Sequence, residues 1–416
     1  MSDIAVIGAG ISGLSIAHCL KEHAQVKVFE ADVQPGGLIK CDNVNGYLYH
    51  KVGGHVFNSK RQDVLDWFWS FFDKQNEFVQ ASRNAVISMP GQQLVGYPIE
   101  NHIYTLETSL MKKIIGDLLY ITKQGYTPAI NFEEFLKIHF GNTLFDIYFQ
   151  PYNKKIWKTN LTEIPLSWLE GKLPMPTIED ILYNNFNREK DHNMVHSSFY
   201  YAKNNGSQFL ANRLAEGLDI SFNSIVNAIK RVGKFWEING EQFDKIIFCG
   251  NIKDLSKIIR GFYVNTYKCF IDNLAYHGTT TVLCEIEQNP YSWIYLPDKA
   301  YSAHRIICTG NFSPFNNCND KMTATIEFTD ELPKRDIDLQ LNKMPFSPKY
   351  LTHHYTPYTY PIQNANTRKT IGVLKSELEK ENFYLLGRFA EWEYYNMDAA
   401  IVAAIDLSKQ IKQIIK

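Results

Sequence analysis

The sequence predicts an α/β protein: a Rossmann-like dinucleotide-binding domain with an inserted helical domain and an antiparallel β-sheet domain. Three observations carry this. Residues 4–30, IAVIGAGISGLSIAHCLKEHAQVKVFE, read as strand, glycine turn, helix, strand and acid. Apolar residues at helical spacing run from 107 to about 171. Residues 275–330 are rich in β-formers, with alternation in places. A chain of 416 residues has room for two or three domains with buried cores.

In the opening stretch Ile4, Val6 and Ile7 form the first strand, and Gly8-Ala9-Gly10-Ile11-Ser12-Gly13 follows. Gly8 permits the tight turn, Gly10 lets backbone approach a pyrophosphate, and Gly13 lets the helix lie close to the strand. The helix N-terminus after Ile11 and Ser12 offers N–H groups and a positive dipole end to phosphates. Leu14, Ile16, Ala17 and Leu20 carry its apolar face, and Val26 to Phe29 form the second strand. Glu30 ends that strand, where a carboxylate can accept both hydroxyls of an adenosine ribose. An acid rather than a basic residue argues for a free 2′-hydroxyl, hence FAD or NAD rather than NADP. A second glycine turn, Gln34-Pro35-Gly36-Gly37-Leu38, favours FAD, which must thread on toward the centre of the sheet.

The next segments follow in order. Tyr47 to Val56 runs into Gly53-Gly54-His55-Val56-Phe57, where adjacent glycines allow backbone to approach a flat ring and His55 can sit against it. Arg61 to Trp69 has helical spacing, and residues 86–98 form a hairpin turning at Pro90-Gly91. Leu110, Ile114, Ile115, Leu118 and Leu119 mark the start of the helical insert. Within it Asn153 and Trp157 are four apart and share a helix face, one for hydrogen bonding and one for stacking. Residues 204–207 turn into a helix carrying Phe209, Leu210, Leu214 and Leu218. A β-meander over 221–250 ends in the strand Lys245 to Cys249, returning the chain to the first domain. Phe383 to Arg388 is a last strand with Gly387 at its end, and Asp398 to Ile415 is an amphipathic helix with Asn396 as N-cap. The expected division is 1–85, 195–262 and 363–416 for the dinucleotide domain, 100–194 for the helical domain, and 86–99 with 263–362 for the sheet domain.

Composition narrows the function. With 43 basic against 44 acidic residues there is no overall electrostatic case for nucleic acid or an anionic membrane. Seven scattered cysteines without a C-x-x-C pair suit a reducing cytoplasm and suggest no metal site. A strand starting at residue 4 leaves no room for a signal peptide ahead of it. No apolar run approaches the ~20 residues of a membrane span. The chain is expected to be soluble and cytoplasmic.

The motifs GAGISGL at 8–14, GGHVF at 53–57, PYNKKIW at 151–157, HRIICTGNFSP at 304–314, YTYPI at 358–362 and GRFAEWEYYNMD at 387–398 stand in one order. In that order the chain resembles the UDP-galactopyranose mutase family of flavoproteins through most of its length. The resemblance implies a non-redox use of reduced FAD: flavin N5 attacks the anomeric carbon of a nucleotide sugar and displaces the nucleoside diphosphate. The adduct then opens to an iminium and recloses as the furanose, in service of cell-surface glycan synthesis.

It also implies roles. Gly54 and His55 lie beside N5, and Arg305 and Arg388 near the diphosphate and the flavin face, these four being the expected catalytic group. Gly8, Gly10, Ile11, Ser12, Gly13, Glu30, Gly37, Leu38, Gly53, Gly387, Asn396 and Met397 complete the cofactor set, Asn396 standing where bacterial members often carry an acid. Tyr152, Asn153 and Trp157 hold the base, while Tyr295, Tyr360 and Tyr394 contact the diphosphate. Lys172 and Pro176 stand where bacterial members show arginines. Lys172 keeps the charge and joins the expected substrate-binding set but lacks the planar fork, so a loop arginine clamp on the diphosphate is missing or supplied elsewhere. An external reductant such as NADH or NADPH and a homo-oligomer are both compatible with this picture. The competing class is a flavin amine oxidase or desaturase, whose pocket would have to be apolar or cage-like. A flavin-bearing scaffold or inactive nucleotide-sugar binder is the third alternative.

Overall fold

The computed structural model describes residues 1–124, 128–166, 176–188, 198–260 and 264–415. A five-stranded parallel sheet is centred on β1 (Ser2–Ile7), with Lys245–Phe248 and then Phe383–Leu385 on one side. On the other side lie β2 (Ala24–Phe29) and Asp219–Ser221. Parallel strands are covered on both faces, and β1 shows why it can be central. Ile4 and Val6 pack with Leu14, Ala17, Ile401 and Ala404, whereas Ala5 and Ile7 pack with Trp236, Phe248 and Phe383 on the opposite face. The first layer is α1 (Ile11–Leu20) beside the C-terminal helix Met397–Ile414. The second includes the small sheet built from Ile229–Val232, Phe235–Ile238, Glu241–Phe243 and Ile259–Arg260.

A seven-stranded sheet forms the other wall of the molecule, in the order Lys349–Pro361, Tyr276–Ile286, Met322–Phe328, Arg305–Ile307, Trp293–Tyr295, Ala85–Ser88, Leu94–Gly96. It is mixed rather than purely antiparallel: Trp293–Tyr295 runs parallel to Ala85–Ser88. That pair joins segments far apart in sequence, so no tight turn dictates its direction. The hairpin itself forms as expected, with Pro90–Gln92 at its turn.

The helical insert contains Thr108–Gln124, Phe132–Leu144 and Gln150–Trp157, the last two joined by a π-helical stretch over Phe145–Phe149. Its core is Ile114, Leu118, Phe132, Leu136, Leu144, Phe145 and Tyr148. Asn131 caps the second helix by accepting from the Glu134 amide. Strand Phe78–Ser82 pairs with Ser198–Ala202 and ties this region back to the parallel sheet. No helix among the described residues is long and apolar enough to cross a membrane.

Candidate active site

Two adjoining cavities lie between the sheets. The first, of about 250 Å³, opens at the carboxyl end of the parallel strands. Gly8, Gly10, Ile11, Ser12, Gly13, Glu30, Gly37, Leu38, His55, Gly387, Arg388, Asn396 and Met397 all line it, as does Cys249. Gly8 and Gly13 are sterically required. Gly8 has φ 103°, and a Cβ on Gly13 would lie 1.9 Å from the Gly8 carbonyl oxygen. The second glycine turn docks on the first, the Gly36 amide donating to the Ala9 carbonyl at 2.8 Å.

Glu30 closes one end. Its Oε2 accepts from the Ala9 amide at 2.7 Å and its Oε1 from the Asp32 amide at 3.0 Å, which leaves a lone pair on each oxygen for a ligand. Helix α1 and the C-terminal helix both begin at this cavity, and neither has a side-chain cap. Asn396 occupies the N-cap position as expected, but its side chain accepts nothing from the helix, which starts at Met397 rather than Asp398. Two positive helix ends therefore face one space. This donor set fits a dinucleotide: a carboxylate for ribose hydroxyls, a glycine cradle, and helix dipoles for the phosphates.

The second cavity, of about 170 Å³, shares His55, Arg388, Asn396 and Met397 with the first. Gly53 and Gly54, expected beside the cofactor, line this one. His55 Nε2 lies 3.0 Å from the Leu38 carbonyl, so that nitrogen carries the proton and donates. Burial, then the Arg388 charge, push the His55 ring down to about 4, leaving it neutral near pH 7.

Arg305 reaches in from the central sheet. Its Nε donates to Glu327, and its Nη2 to the Tyr360 hydroxyl at 3.1 Å. Burial opposes ionisation of Glu327, but Arg305 and His304 hold its carboxyl well below the usual carboxylate range. The neutral His304 donates from Nε2 to the same carboxylate at 3.2 Å. Arg388 is fixed by backbone carbonyls, donating from Nε to Tyr395 at 3.0 Å and from Nη1 to Thr359 at 3.2 Å. Its guanidinium sits 4.7 Å from the Tyr394 ring centroid, and Tyr394 stacks on Tyr360 at 5.4 Å.

A third, smaller cavity of about 110 Å³ lies in the helical insert, lined by Tyr97, Tyr148, Phe149, Tyr152 and Asn153 among others. Tyr295 connects it to the second cavity, its ring 4.5 Å from Tyr97 and 5.4 Å from Tyr152. Trp157 does not share this slot. It is 6 % exposed, its indole N–H donates to Asn153 Oδ1 at 3.1 Å, and its ring meets Tyr360 edge-on. The i, i+4 spacing did align the two residues, but the face that Trp157 presents is spent on packing. Lys172 lies outside the described residues.

Arg83, Trp293, Glu327 and Asp398 also line the second cavity and escaped the sequence reading. Glu327 left a signal: a lone acid in MTATIEF, a strand buried along its whole length, must be paired. Arg83 left none, since an arginine ahead of a hairpin ordinarily reads as surface. Among the described residues no group of acids, histidines and cysteines could hold a metal ion, and the cysteines are free.

Residues 6–74 match the family model described as an NAD(P)-binding Rossmann-like domain. The chain is 24 % identical to the dTDP-fucopyranose mutase of Escherichia coli, over 98 % of each protein. It is 22 % identical to the UDP-galactopyranose mutase of Mycoplasma genitalium, over 98 % of this chain and 94 % of that protein. A crystal structure of reduced UDP-galactopyranose mutase shares the fold with a TM-score of 0.88 at 22 % identity, covering 100 % of this chain and 96 % of that one. In sequence over nearly its whole length and in fold over all of it, the chain is similar to the UDP-galactopyranose mutase family and its dTDP-fucopyranose relative.

Proposed function

We propose that the protein is an FAD-dependent pyranose–furanose mutase of a nucleotide sugar, either UDP-galactopyranose or a related UDP- or dTDP-linked sugar. One observation carries the reading: a dinucleotide cradle opens, at His55 and Arg388, into a second cavity lined by guanidinium and tyrosine hydroxyl groups. An oxidase acting on an apolar or amine substrate has no use for such a lining.

Glu30 and the two helix N-termini would hold the adenosine ribose and pyrophosphate of FAD, with Gly37, Leu38 and Gly387 along its length. Bound and reduced, FAD supplies a nucleophilic ring nitrogen for the anomeric carbon. The chain's own groups do the rest. Gly54 and His55 shape the junction where flavin and sugar meet, and His55 stays neutral there while Arg388 provides fixed positive charge. Arg305, kept in place by Glu327, binds the diphosphate as it departs and returns, with Tyr295, Tyr360 and Tyr394 donating hydroxyls. Tyr152 and Asn153 line the slot for the base, and Trp157 supports Asn153 from behind. We assign residues 1–85, 195–262 and 363–416 to the FAD domain, 100–194 to the helical domain, and 86–99 with 263–362 to the sheet domain. A role in glycan assembly, with NADH or NADPH as reductant, follows from the same reading.

The test is to reduce the FAD-loaded protein with dithionite, add UDP-galactopyranose or dTDP-fucopyranose, and separate products by chromatography. A furanose product from either supports the reading. The absence of furanose from these two and from a panel of related UDP- and dTDP-hexopyranoses overturns it.

A further inference from the structure

Arg83 is a part-buried cation with no carboxylate partner among the described residues. Its guanidinium lies 5.2 Å from the Tyr97 ring centroid and 5.0 Å from that of Trp293, and it donates to the Tyr295 hydroxyl. Its Nε is buried and has no hydrogen-bond partner. Burial opposes its charge, and the side chains that act on it most, Tyr295, Tyr97 and Tyr152, are phenols rather than carboxylates. A guanidinium shielded from water without a counter-charge is destabilising unless an anion completes it.

Its position says which anion. Arg83 lines the second cavity, whereas Tyr97, against which it packs, lines the slot in the helical insert. It therefore stands where a base in that slot would be joined to a sugar in the larger cavity. The charges agree. Of the guanidinium groups there, Arg305 is matched by Glu327, while Arg388 donates to backbone carbonyls and lies over the Tyr394 ring. The other carboxyl, Asp398, is on the first turn of the C-terminal helix, whose positive end offsets it. Arg83 and Arg388 thus have no carboxylate partner among the described residues, and a diphosphate esterified at both ends carries two negative charges.

We propose that Arg83 is a diphosphate-binding residue of this site, supplying a planar, doubly donating guanidinium where the motif resemblance leads one to expect an arginine from elsewhere in the chain. The inference rests on the nucleotide-sugar reading above, and its test separates the two.

Binding of UDP and dTDP, and of uridine and thymidine, is measured by titration calorimetry on FAD-loaded wild type, R83Q and R83K. The flavin absorbance spectrum reports that each variant keeps its cofactor and fold. Expected are diphosphate binding by wild type, a loss of about thirtyfold or more in R83Q, a smaller loss in R83K, and nucleoside affinity changed less than about threefold. The salt dependence of diphosphate affinity should also be shallower in R83Q. If wild type binds neither diphosphate, the nucleotide reading itself fails. If wild type binds and both variants bind equally well, the assignment of Arg83 alone is overturned. Should R83Q lose its flavin, R83K decides: unchanged diphosphate affinity in that variant overturns the assignment.

Discussion

His55 donates from Nε2 to the carbonyl of Leu38 at 3.0 Å, tying the segment beside the second cavity to the glycine turn that lines the first. This bond sets the imidazole tautomer and presents Nδ1 as an acceptor at the junction of the two cavities. His55→Ala should leave FAD bound but shift its visible absorbance, and lower turnover by about tenfold or more through misplacement of the reacting groups. Stopped-flow turnover beside an absorbance spectrum checks both. Unchanged kinetics would remove His55 from the site.

The glycine cradle makes a sharper prediction. A methyl at Gly13 would meet the Gly8 carbonyl at 1.9 Å, a contact with backbone that no rotamer can relieve. Gly13→Ala should be purified largely without flavin and unfold at lower temperature, with a stability loss of about 1–3 kcal/mol or more. Flavin content per chain and a melting curve measure it. Full flavin loading would contradict the close packing of α1 on β1.

Glu327 is buried at 1 % exposure and shared by Arg305 and His304. Removing its charge leaves a guanidinium without a counter-ion, a loss on the order of 3–5 kcal/mol. Urea unfolding of Glu327→Gln should show it. The double variant Glu327→Leu with Arg305→Met should recover stability without recovering diphosphate affinity. Equal stability of wild type and Glu327→Gln would mean that the pair does not form in solution.

Two histidines predict a pH dependence. Burial, with His55 nearby, pushes His50 down to about 3, and burial with Arg388 pushes His55 down to about 4. In the unfolded chain both titrate near ~6.5. Between those values the unfolded state binds protons that the folded state does not, so stability falls as pH is lowered from about 6.5 toward 4 and is insensitive to these groups above it. Urea midpoints measured across that range should fall, less steeply in His50→Gln. A flat profile would show that the rings are hydrated in the folded state.

The slot in the helical insert separates Tyr152 from Trp157. Tyr152→Ala should weaken nucleotide binding by about tenfold or more through lost stacking. Trp157→Phe, which keeps the packing against Tyr360, should change it less than about threefold. Calorimetry with UDP and dTDP reports both, and the reverse order would place the base on Trp157.

What the sequence determined by itself is the part governed by short-range rules. The strand–turn–helix of residues 4–30 was legible because Gly8 and Gly13 answer local steric demands, and the apolar residues on either side have the period of the element they form. Gly8, Gly13 and Glu30 needed only spacing, and the motifs around His55, Arg305 and Arg388 stood intact in the chain. The tertiary structure decided what depends on residues far apart. It made the sheet mixed by setting Trp293–Tyr295 beside Ala85–Ser88, buried the indole of Trp157 against Tyr360, and matched Arg305 to Glu327 while setting Arg83 against Tyr295 with no carboxylate partner among the described residues. The physical reason is that a side chain's charge environment is set by its neighbours across the fold. Spacing along the chain says which face a residue shares, but only packing says whether that face meets solvent, core or ligand.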